Sequence, residues 1–318
     1  MHPQIVALAG GVGAARFLAG LTAVMEEKAA PDRLTIVGNV GDDMEWNGFS
    51  ISPDLDTVTY TLAGLAEEAR GWGLRGETYH CLDAISRFGL ETWFKLGDRD
   101  LATHVFRTGL LRQGAALSEV TRKITTALGV RARLTPVTDD RLRTLVDSSE
   151  GLLEFQDYFV RRACRPEVRH IVMDGADTAR PAPGVIQAIR TADAVIVCPS
   201  NPLISIGPIL SVPGIRAVLV ERRREGRRNA AISPLVGGRA LKGPADRMMR
   251  GVGLRADATA VAELYRDFVS VYVLDTEDAA SRGEVEALGM KTIVTNTVMR
   301  DQESRTALAR AVWEGLGL

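Results

Sequence analysis

Short apolar runs rich in β-branched residues alternate along the chain with patterns of helical period. The runs cover residues 5–9, 34–40, 168–173, 194–198, 217–220, 269–274 and 292–294. Runs that are apolar throughout are typical of parallel strands that are buried on both faces. Their alternation with helices predicts an α/β fold, in which a parallel sheet is covered by helices on both faces.

The clearest helical pattern lies between residues 52 and 70. Its apolar residues fall three and four positions apart, which predicts one buried stripe. Ser52 is the expected N-cap, and Pro53 suits the first helical position. From about residue 72 to 163, helical patterns outnumber apolar runs. We therefore expect residues 1–318 to form a single large α/β domain, with a helix-rich insertion or subdomain at about 72–163.

Composition places the chain among folded globular proteins. Of its 318 residues, 46% are hydrophobic and 25% are charged, which excludes a mainly disordered or coiled-coil chain. The formal net charge of -1 supplies no overall field to attract nucleic acid or an anionic membrane. Prolines interrupt the one long uncharged stretch, residues 194–215, so we expect no transmembrane helix. Cys81, Cys164 and Cys198 form no C-x-x-C pair, so we expect neither disulfides nor a zinc site, and we expect a cytoplasmic location.

A glycine-rich loop follows the first predicted strand. Gly10, Gly11 and Gly13 lie between this strand and the next helical pattern. Such a loop lets backbone N–H groups and a helix N-terminus face a phosphate. Arg16 stands where the dinucleotide fingerprint requires a third glycine, and no P-loop G-K-[ST] occurs, so neither NAD nor ATP is indicated. A tight turn that needs glycine only for packing is the alternative.

Four carboxylates come next along the chain. Asp42 and Asp43 follow the second predicted strand, and Asp54 and Asp56 lie at the start of the following helix. Loops after neighbouring parallel strands meet at the carboxyl edge of the sheet, where open α/β folds bind ligands. A phosphate loop beside carboxylates suits Mg²⁺, so all four are candidate metal ligands and catalytic residues. A solvated turn and the helix dipole are the alternative explanations.

Two further segments combine loop signals with side chains suited to ligands. An exposed pair of Trp93 and Phe94 beside Lys95 and Arg99 would clamp a planar ring with an anionic tail. The candidate substrate-binding residues of this segment are Trp93, Lys95, Asp98 and Arg99. Core packing of the aromatic side chain, and capping of the next helix by Asp98, are the alternatives. Ser200 and Asn201 follow a later predicted strand and are candidates for binding phosphate or hydroxyl groups. An Asx-type turn would also explain them.

Two basic segments lead to different predictions. Residues 221–228 mix arginines with glutamates and glycine and contain no aromatic residue, which predicts a solvated loop rather than a nucleic-acid surface. Gly238, Arg239 and Lys242 instead place cations among glycines, which predicts an anion-binding loop. The sequence contains no H-E-x-x-H or G-x-S-x-G motif, so zinc or serine hydrolase chemistry has no support.

The order and spacing of these segments resemble the 2-phospho-L-lactate transferase family of deazaflavin coenzyme (factor 420) biosynthesis. The segments are residues 10–17, 41–43, 52–57, 60–62, 93–104, 155–159, 200–202 and 233–244. The resemblance spans essentially the whole chain and implies a Rossmann-like core with an added helical region, often as a homodimer. It also implies that a phospho-three-carbon-acid group moves from a guanosine-diphosphate-linked donor to the ribityl hydroxyl of the deazaflavin Fo, with release of GMP.

This resemblance gives the candidate residues roles. Mg²⁺ held by two of the four aspartates would neutralise phosphate charge, and a remaining carboxylate would accept the hydroxyl proton. The glycine loop, Asn201 and the loop of Arg239 and Lys242 would bind the donor phosphates, and the block around Trp93 would bind the deazaflavin. A related family of nucleotide-sugar-binding regulatory proteins is the alternative, while Arg16 disfavours a nicotinamide oxidoreductase. The donor acid stays open among phospholactate, phosphoenolpyruvate and phosphoglycerate.

Overall fold

The structure, a computed structural model, describes residues 2–318 and holds one seven-stranded sheet with three smaller sheets. The strands are β1 (Ile5–Ala9), β2 (Leu34–Gly38), β3 (Met44–Trp46), β4 (Phe49–Ile51), β5 (Arg133–Pro136), β6 (Arg143–Ser148), β7 (Gly151–Glu154), β8 (Val168–Asp174), β9 (Ala194–Val197), β10 (Arg228–Ile232), β11 (Leu235–Val236), β12 (Arg239–Ala240), β13 (Val271–Asp275) and β14 (Lys291–Thr295).

The α-helices lie mostly between these strands. They are α1 (Gly11–Glu27), α2 (Pro53–Leu62), α3 (His80–Ser86), α4 (Asp100–Arg112), α5 (Leu117–Ala127), α6 (Val185–Thr191), α7 (Gly207–Ser211), α8 (Ile215–Arg224), α9 (Ala245–Gly251), α10 (Ala258–Tyr265), α11 (Arg282–Ala287) and α12 (Gln302–Gly315). Short 3₁₀-helices cover Pro31–Arg33 and Thr276–Ser281, and a π-helix covers Asp157–Arg161.

The seven-stranded sheet has the order β14-β13-β10-β9-β1-β2-β5, and every neighbouring pair is parallel. Ala7 at the centre of β1 pairs with Ile36 on one side and Ile196 on the other. The chain moves outward from β1 to β5, then returns to β9 and moves outward the other way. Right-handed crossovers place the helices of the two halves on opposite faces of the sheet. The predicted α/β, Rossmann-like fold is confirmed.

The reversal between β1 and β9 determines where a ligand can bind. At such a point the two chain directions diverge and leave a crevice at the carboxyl ends of the strands. Gly10 follows β1, Pro199 follows β9, and both line the same cleft. The topology therefore brings loops together that are far apart in the sequence.

The central strands are apolar throughout because they are buried in the core. All five residues of β1 are buried, because helices cover both faces of the sheet. Along α1, Phe17, Leu18 and Leu21 are buried, and this helix packs against α2 and α12. A second cluster, which includes Val146, lies under the small sheet β7-β6-β8.

Two predicted strands are wrong in place or type. Residues 168–173 form β8, but this strand pairs antiparallel with β6 in a three-stranded sheet outside the large one. Residues 217–220 lie in α8, whose buried side includes Val218 and Leu219. A short apolar run has no period of its own, so the sequence could not separate a strand from one side of a buried helix.

Two predicted boundaries also changed. Helix α2 ends at Leu62 rather than near residue 70, and Gly64 after it has a positive φ of 69°. Residues 221–228, predicted to be a solvated loop, include the end of α8 and the start of β10, and Arg222 is buried. The helix-rich segment holds the separate helices α3, α4 and α5 up to Ala127, after which the chain forms β5, β6 and β7. Its treatment as an insertion in one large domain stays a prediction.

The three cysteines and the lengths of the helices bear on the predictions about disulfides and membrane spans. Cys81, Cys164 and Cys198 are free thiols. Among residues 2–318, no helix combines the length and hydrophobicity needed to cross a membrane. The cytoplasmic location stays a prediction.

Candidate active site

A cleft of about 900 Å³ opens at the carboxyl ends of the central strands. Its walls come from the glycine loop, the start of α2, the segment around Trp93, the π-helix and the loops after β9, β10 and β14. The predicted site residues that line it are Gly10, Gly11, Gly13, Asp42, Asp54, Asp56, Trp93, Lys95, Ser200, Asn201 and Lys242. The topology thus gathers most of the candidates into one cavity.

The glycine loop lines the cleft and also packs closely against neighbouring loops of the protein. Gly11 has a φ of +73°, which L side chains rarely adopt. A Cβ on Gly10 would lie 2.7 Å from Asp54 Oδ2, and one on Gly13 would lie 2.2 Å from the Pro199 carbonyl oxygen. Packing therefore requires glycine at Gly13, although the same loop also presents its backbone to the cavity.

Asp42 and Asp54 form a pair of buried carboxylates that repel each other. Asn39 Nδ2 donates to Asp54 Oδ2 at 2.8 Å, whereas Asp42 Oδ1 is buried and has no hydrogen-bond partner among residues 2–318. Burial, followed by the charges of Asp54 and Asp43, raises the pKa of Asp42 well above its ordinary value. Burial also raises the pKa of Asp54 to about 6. A divalent cation would relieve both the repulsion and the unsatisfied oxygen, so this donor set fits Mg²⁺.

Asp43 and Asp56 each have a protein partner, although Asp43 Oδ1, like Asp42 Oδ1, is buried without one among residues 2–318. Ser52 occupies the N-cap position of α2 as predicted, but its Oγ donates to Asp43 Oδ2 at 2.7 Å and makes no capping hydrogen bond. Burial raises the pKa of Asp43 well above its ordinary value. Asp56 forms a two-point ion pair with Arg107 on α4. Within the described residues, no three or more His, Cys, Asp or Glu side chains are arranged to hold a metal.

Arg16 and Lys242 are two of the cations that line the cleft without a carboxylate partner. Arg16 Nη1 donates to the Met299 carbonyl oxygen at 3.4 Å, and Lys242 Nζ donates to the Arg70 carbonyl oxygen at 2.9 Å. In the part of the chain that the structure describes, neither side chain forms a salt bridge. Burial and the charge of Arg16 lower the pKa of Lys242, and burial and the charge of Arg305 lower that of Arg16. Cations that destabilise one another in a cleft indicate a site for an anion.

Aromatic side chains form another wall of the cleft. Trp93 meets Phe94 edge to face, with ring centroids 5.9 Å apart. Phe155 and Phe159 stack with centroids 5.4 Å apart and ring planes at 10°. All four rings line the cleft, and Phe159 is 38% exposed. This wall offers flat apolar surface of the kind that binds a planar ring system.

The chain is similar to known proteins along almost its whole length. A family model described as 2-phospho-L-lactate transferase CofD matches residues 5–312. The chain belongs to this family. A phosphoenolpyruvate transferase from Streptomyces griseus is 42% identical over 98% of each chain. A 2-phospho-L-lactate transferase from Methanosarcina mazei is 34% identical over 97% of this chain and 99% of its own.

A solved structure supports the fold independently. A member of the UPF0052 family from Bacillus halodurans aligns with 98% of this chain and 99% of its own, with a TM-score of 0.61 and 16% identity. At this identity the likeness concerns the fold alone. Membership of the 2-phospho-L-lactate transferase family confirms the resemblance drawn from the sequence. The protein is a transferase of factor 420 biosynthesis, and the regulatory alternative is disfavoured.

Five candidate residues of this transferase lie beside the cleft rather than on its lining. Asp98 accepts hydrogen bonds from the backbone N–H groups of His80 and Cys81 at the start of α3, so the alternative that it caps α4 is wrong. Arg99 Nη1 donates to a carbonyl oxygen of a neighbouring loop at 2.8 Å. The others are Asp43, described above, and Gly238 and Arg239, which belong to the hairpin of β11 and β12. Their roles in ligand binding stay predictions.

Sequence reasoning missed several residues that line the cleft. Tyr60, Asp100 and His104 surround Asp56, and the loop 297–300 closes another side. Asp100, His104 and Arg107 are spaced four and three residues apart, which places them on one face of α4. That spacing is visible in the sequence, but nothing in it says that this face meets α2. The loop 297–300 has no comparable signal in the sequence. Its position depends on a contact with a residue distant in the sequence, because the Thr297 N–H donates to Asp275 Oδ2 at 2.7 Å.

Proposed function

We propose that this transferase moves a phospho-three-carbon-acid group from its guanosine-diphosphate-linked donor to the ribityl hydroxyl of the deazaflavin Fo. The hydroxyl oxygen attacks the phosphorus nearest the acid, the bond from that phosphorus to the GMP phosphate oxygen breaks, and GMP leaves. The observation that carries the proposal is the convergence of a carboxylate pair, two unpaired cations and an aromatic wall in one cleft. Each of these groups suits one part of the reaction.

The donor phosphates are assigned to the glycine side of the cleft. Gly10 to Gly13 place backbone and the N-terminus of α1 there, where anions are favoured by the helix dipole. Arg16 and Lys242 add two charges that can exchange carbonyl partners for phosphate oxygens. Asn201 lies in the loop after β9 and lines the same region.

Asp42 and Asp54 are the residues that would hold Mg²⁺. When bound, Mg²⁺ would neutralise charge on the transferred phosphoryl group. Two carboxylates are enough for this role, since Mg²⁺ is commonly bound by one or two carboxylates together with substrate phosphates and water. The free Oδ1 of Asp42 and the mutual repulsion of the pair support this assignment.

The acceptor is assigned to the aromatic wall of Trp93, Phe94, Phe155 and Phe159. A deazaflavin ring bound there would direct its ribityl chain toward the carboxylates. Asp56 accepts the hydroxyl proton and thereby orients the attacking oxygen. Both oxygens of Asp56 are held by Arg107, which suits a positioning role, and a loose phosphoryl-transfer transition state depends mainly on positioning.

Phosphoenolpyruvate is the acid that we assign to the donor. The relatives from Streptomyces, Kitasatospora and Thermobifida, at 38–42% identity, are named phosphoenolpyruvate transferases. Those from Methanosarcina and Methanococcoides, at 33–35%, are named 2-phospho-L-lactate transferases. A homodimer and a cytoplasmic location belong to the same proposal, and light scattering of the purified protein would measure the first.

The proposed reaction can be tested directly with purified protein. We expect a new phosphodiester and an equal amount of GMP by mass spectrometry when Fo, Mg²⁺ and the guanylylated phosphoenolpyruvate donor are supplied, with both products lost on adding EDTA. The phospholactate and phosphoglycerate donors should give lower kcat/KM in competition. Absence of product with all three donors, together with tight binding of a nucleotide sugar, would instead indicate a regulatory binding protein.

Replacing Arg16 or Lys242 with alanine should weaken binding of the donor diphosphate. A hydrogen bond to a charged group contributes roughly 1.5–3 kcal/mol, which corresponds to about a tenfold to hundredfold loss of affinity. Titration calorimetry with GDP measures this without turnover. Arg255→Ala is the matched control, because Arg255 is paired with Asp257 and Glu263 away from the cleft. Unchanged GDP affinity in both cleft variants would show that these cations do not bind the diphosphate.

A further inference from the structure

A buried arginine joins the helix-rich segment to the carboxylates of the cleft. Arg107 on α4 is 2% exposed. Its Nη1 donates to Asp56 Oδ2 at 3.0 Å, and its Nη2 donates to Asp56 Oδ1. Both oxygens of one cleft-lining carboxylate are therefore held by the same guanidinium group, a geometry that fixes the plane of the carboxylate.

His104 packs beside this ion pair and has a defined orientation. Arg107 Nη1 lies 3.2 Å from His104 Nδ1. Because a guanidinium group has only donors, His104 Nδ1 is the acceptor in this contact. His104 Nε2 lies 3.2 Å from Asp100 Oδ1. The imidazole is thus placed between a donor on one side and a carboxylate on the other.

Asp100 is itself fixed from two directions. Tyr60 on α2 donates its hydroxyl hydrogen to Asp100 Oδ1 at 2.6 Å. The backbone N–H of Asp100 donates to Glu77 Oε1 at 2.8 Å. Since Tyr60, Asp100 and His104 all line the cleft, this network lies at the site and not behind it.

We propose that Arg107 is a positioning residue for the transfer reaction, which acts through Asp56 and is held in place by His104 and Asp100. This inference rests on the proposed function, in which Asp56 receives the proton of the attacking hydroxyl. Asp56 lies in the first turn of α2, and without Arg107 its side chain could rotate away from the acceptor. Lysine would keep the charge, but a single ammonium group cannot hold both carboxylate oxygens in one plane.

A double-mutant cycle in kcat separates positioning from folding. The variants are Arg107→Lys, Asp56→Asn and the two combined. Arg107→Lys should lower kcat about tenfold to hundredfold, while the Kd of GDP changes less than twofold. In the Asp56→Asn background, the same change should lower kcat less than twofold further, because the carboxylate that Arg107 orients is already gone.

Arg222→Lys is the matched structural control. Arg222 is a second buried arginine, but it lies on α8 and donates to the carbonyl oxygens of Ile189 and Ala192 and to Asn229 Oδ1. We expect this change to lower Tm without altering kcat per folded molecule in either background. Acceptor affinity, measured by calorimetry, should be reduced by Arg107→Lys only when Asp56 is present.

Each outcome decides the proposal. A loss of Tm in Arg107→Lys with unchanged kcat and acceptor affinity would make Arg107 merely structural, like Arg222. Equal losses of kcat in the wild-type and Asp56→Asn backgrounds would show that Arg107 does not act through Asp56. Absence of product from the wild-type protein would overturn the proposed function itself, and the role of Arg107 with it.

Discussion

Replacing Asp42 or Asp54 with asparagine should lower Mg²⁺-dependent turnover by at least about a thousandfold, since a metal contributes several kcal/mol of charge stabilisation to the transition state. An amide oxygen keeps the shape of the side chain but loses the charge that attracts the cation. GMP release at saturating donor and acceptor measures the effect. Asp267→Asn is the control, because Asp267 pairs with Arg216 on the surface and should leave turnover unchanged.

The same substitutions should make the metal-free protein more stable. Burial raises the pKa of Asp54 from 3.8 to about 6, so the folded protein binds this proton more tightly than the unfolded chain does. Stability therefore falls as the pH rises through this interval, and the deficit is complete above pH 6. With EDTA present, Asp54→Asn should add up to about 3 kcal/mol to the free energy of unfolding at neutral pH. The gain should shrink as the pH is lowered below 6.

Urea unfolding at several pH values separates this prediction from a general effect of the amide. If both variants keep full Mg²⁺-dependent turnover, the metal assignment to Asp42 and Asp54 is wrong. If turnover is lost but stability falls at neutral pH, the two carboxylates are not the repelling pair described above. Like charges that are held together at a cost in folding stability are typical of functional sites.

The sequence predicts the central part of the fold because its signals there are local. An apolar run followed by glycines marks β1 and the start of α1, and the carboxyl ends of parallel strands must share one edge. Asp42 and Asp54 could be placed at that edge for this reason. The same argument does not locate Lys242 at the cleft. Lys242 reaches the cleft only because its loop packs against a loop that is distant in the sequence, where it contacts the Arg70 carbonyl oxygen.

Distinctions within the carboxylate cluster depend on tertiary contacts. Asp42 and Asp43 are adjacent in sequence, yet only Asp42 lines the cleft, while Asp43 accepts a hydrogen bond from Ser52. Helix geometry already indicates that Asp54 and Asp56 point in different directions. That Asp56 meets an arginine, however, depends on how α4 packs against α2, and no pattern in either helix specifies that contact. The sequence therefore predicts the chemistry of the cluster better than the division of roles within it.

The glycine loop shows how one residue type can satisfy two requirements. Gly11 needs its conformation, whereas Gly13 needs its missing side chain, because a Cβ there would lie 2.2 Å from the Pro199 carbonyl oxygen. Neighbouring loops after β1 and β9 must approach this closely for the cleft to form between them. The packing explanation and the ligand explanation therefore make different predictions for Gly13.

Gly13→Val should destabilise the protein by about 3 kcal/mol or more, because the new side chain overlaps backbone that cannot move without separating the two loops. Gly109→Val is the matched control: Gly109 also lies within a helix, but a Cβ there meets nothing within 4 Å. Urea unfolding followed by circular dichroism measures both variants, and the control should change stability by less than about 1 kcal/mol. GDP titration of the folded Gly13→Val protein then reports on the ligand. Wild-type stability combined with lost GDP affinity would show that Gly13 is required for phosphate binding and not for packing. A large loss of stability in both variants would show that valine is poorly tolerated in these helices for reasons unrelated to Pro199.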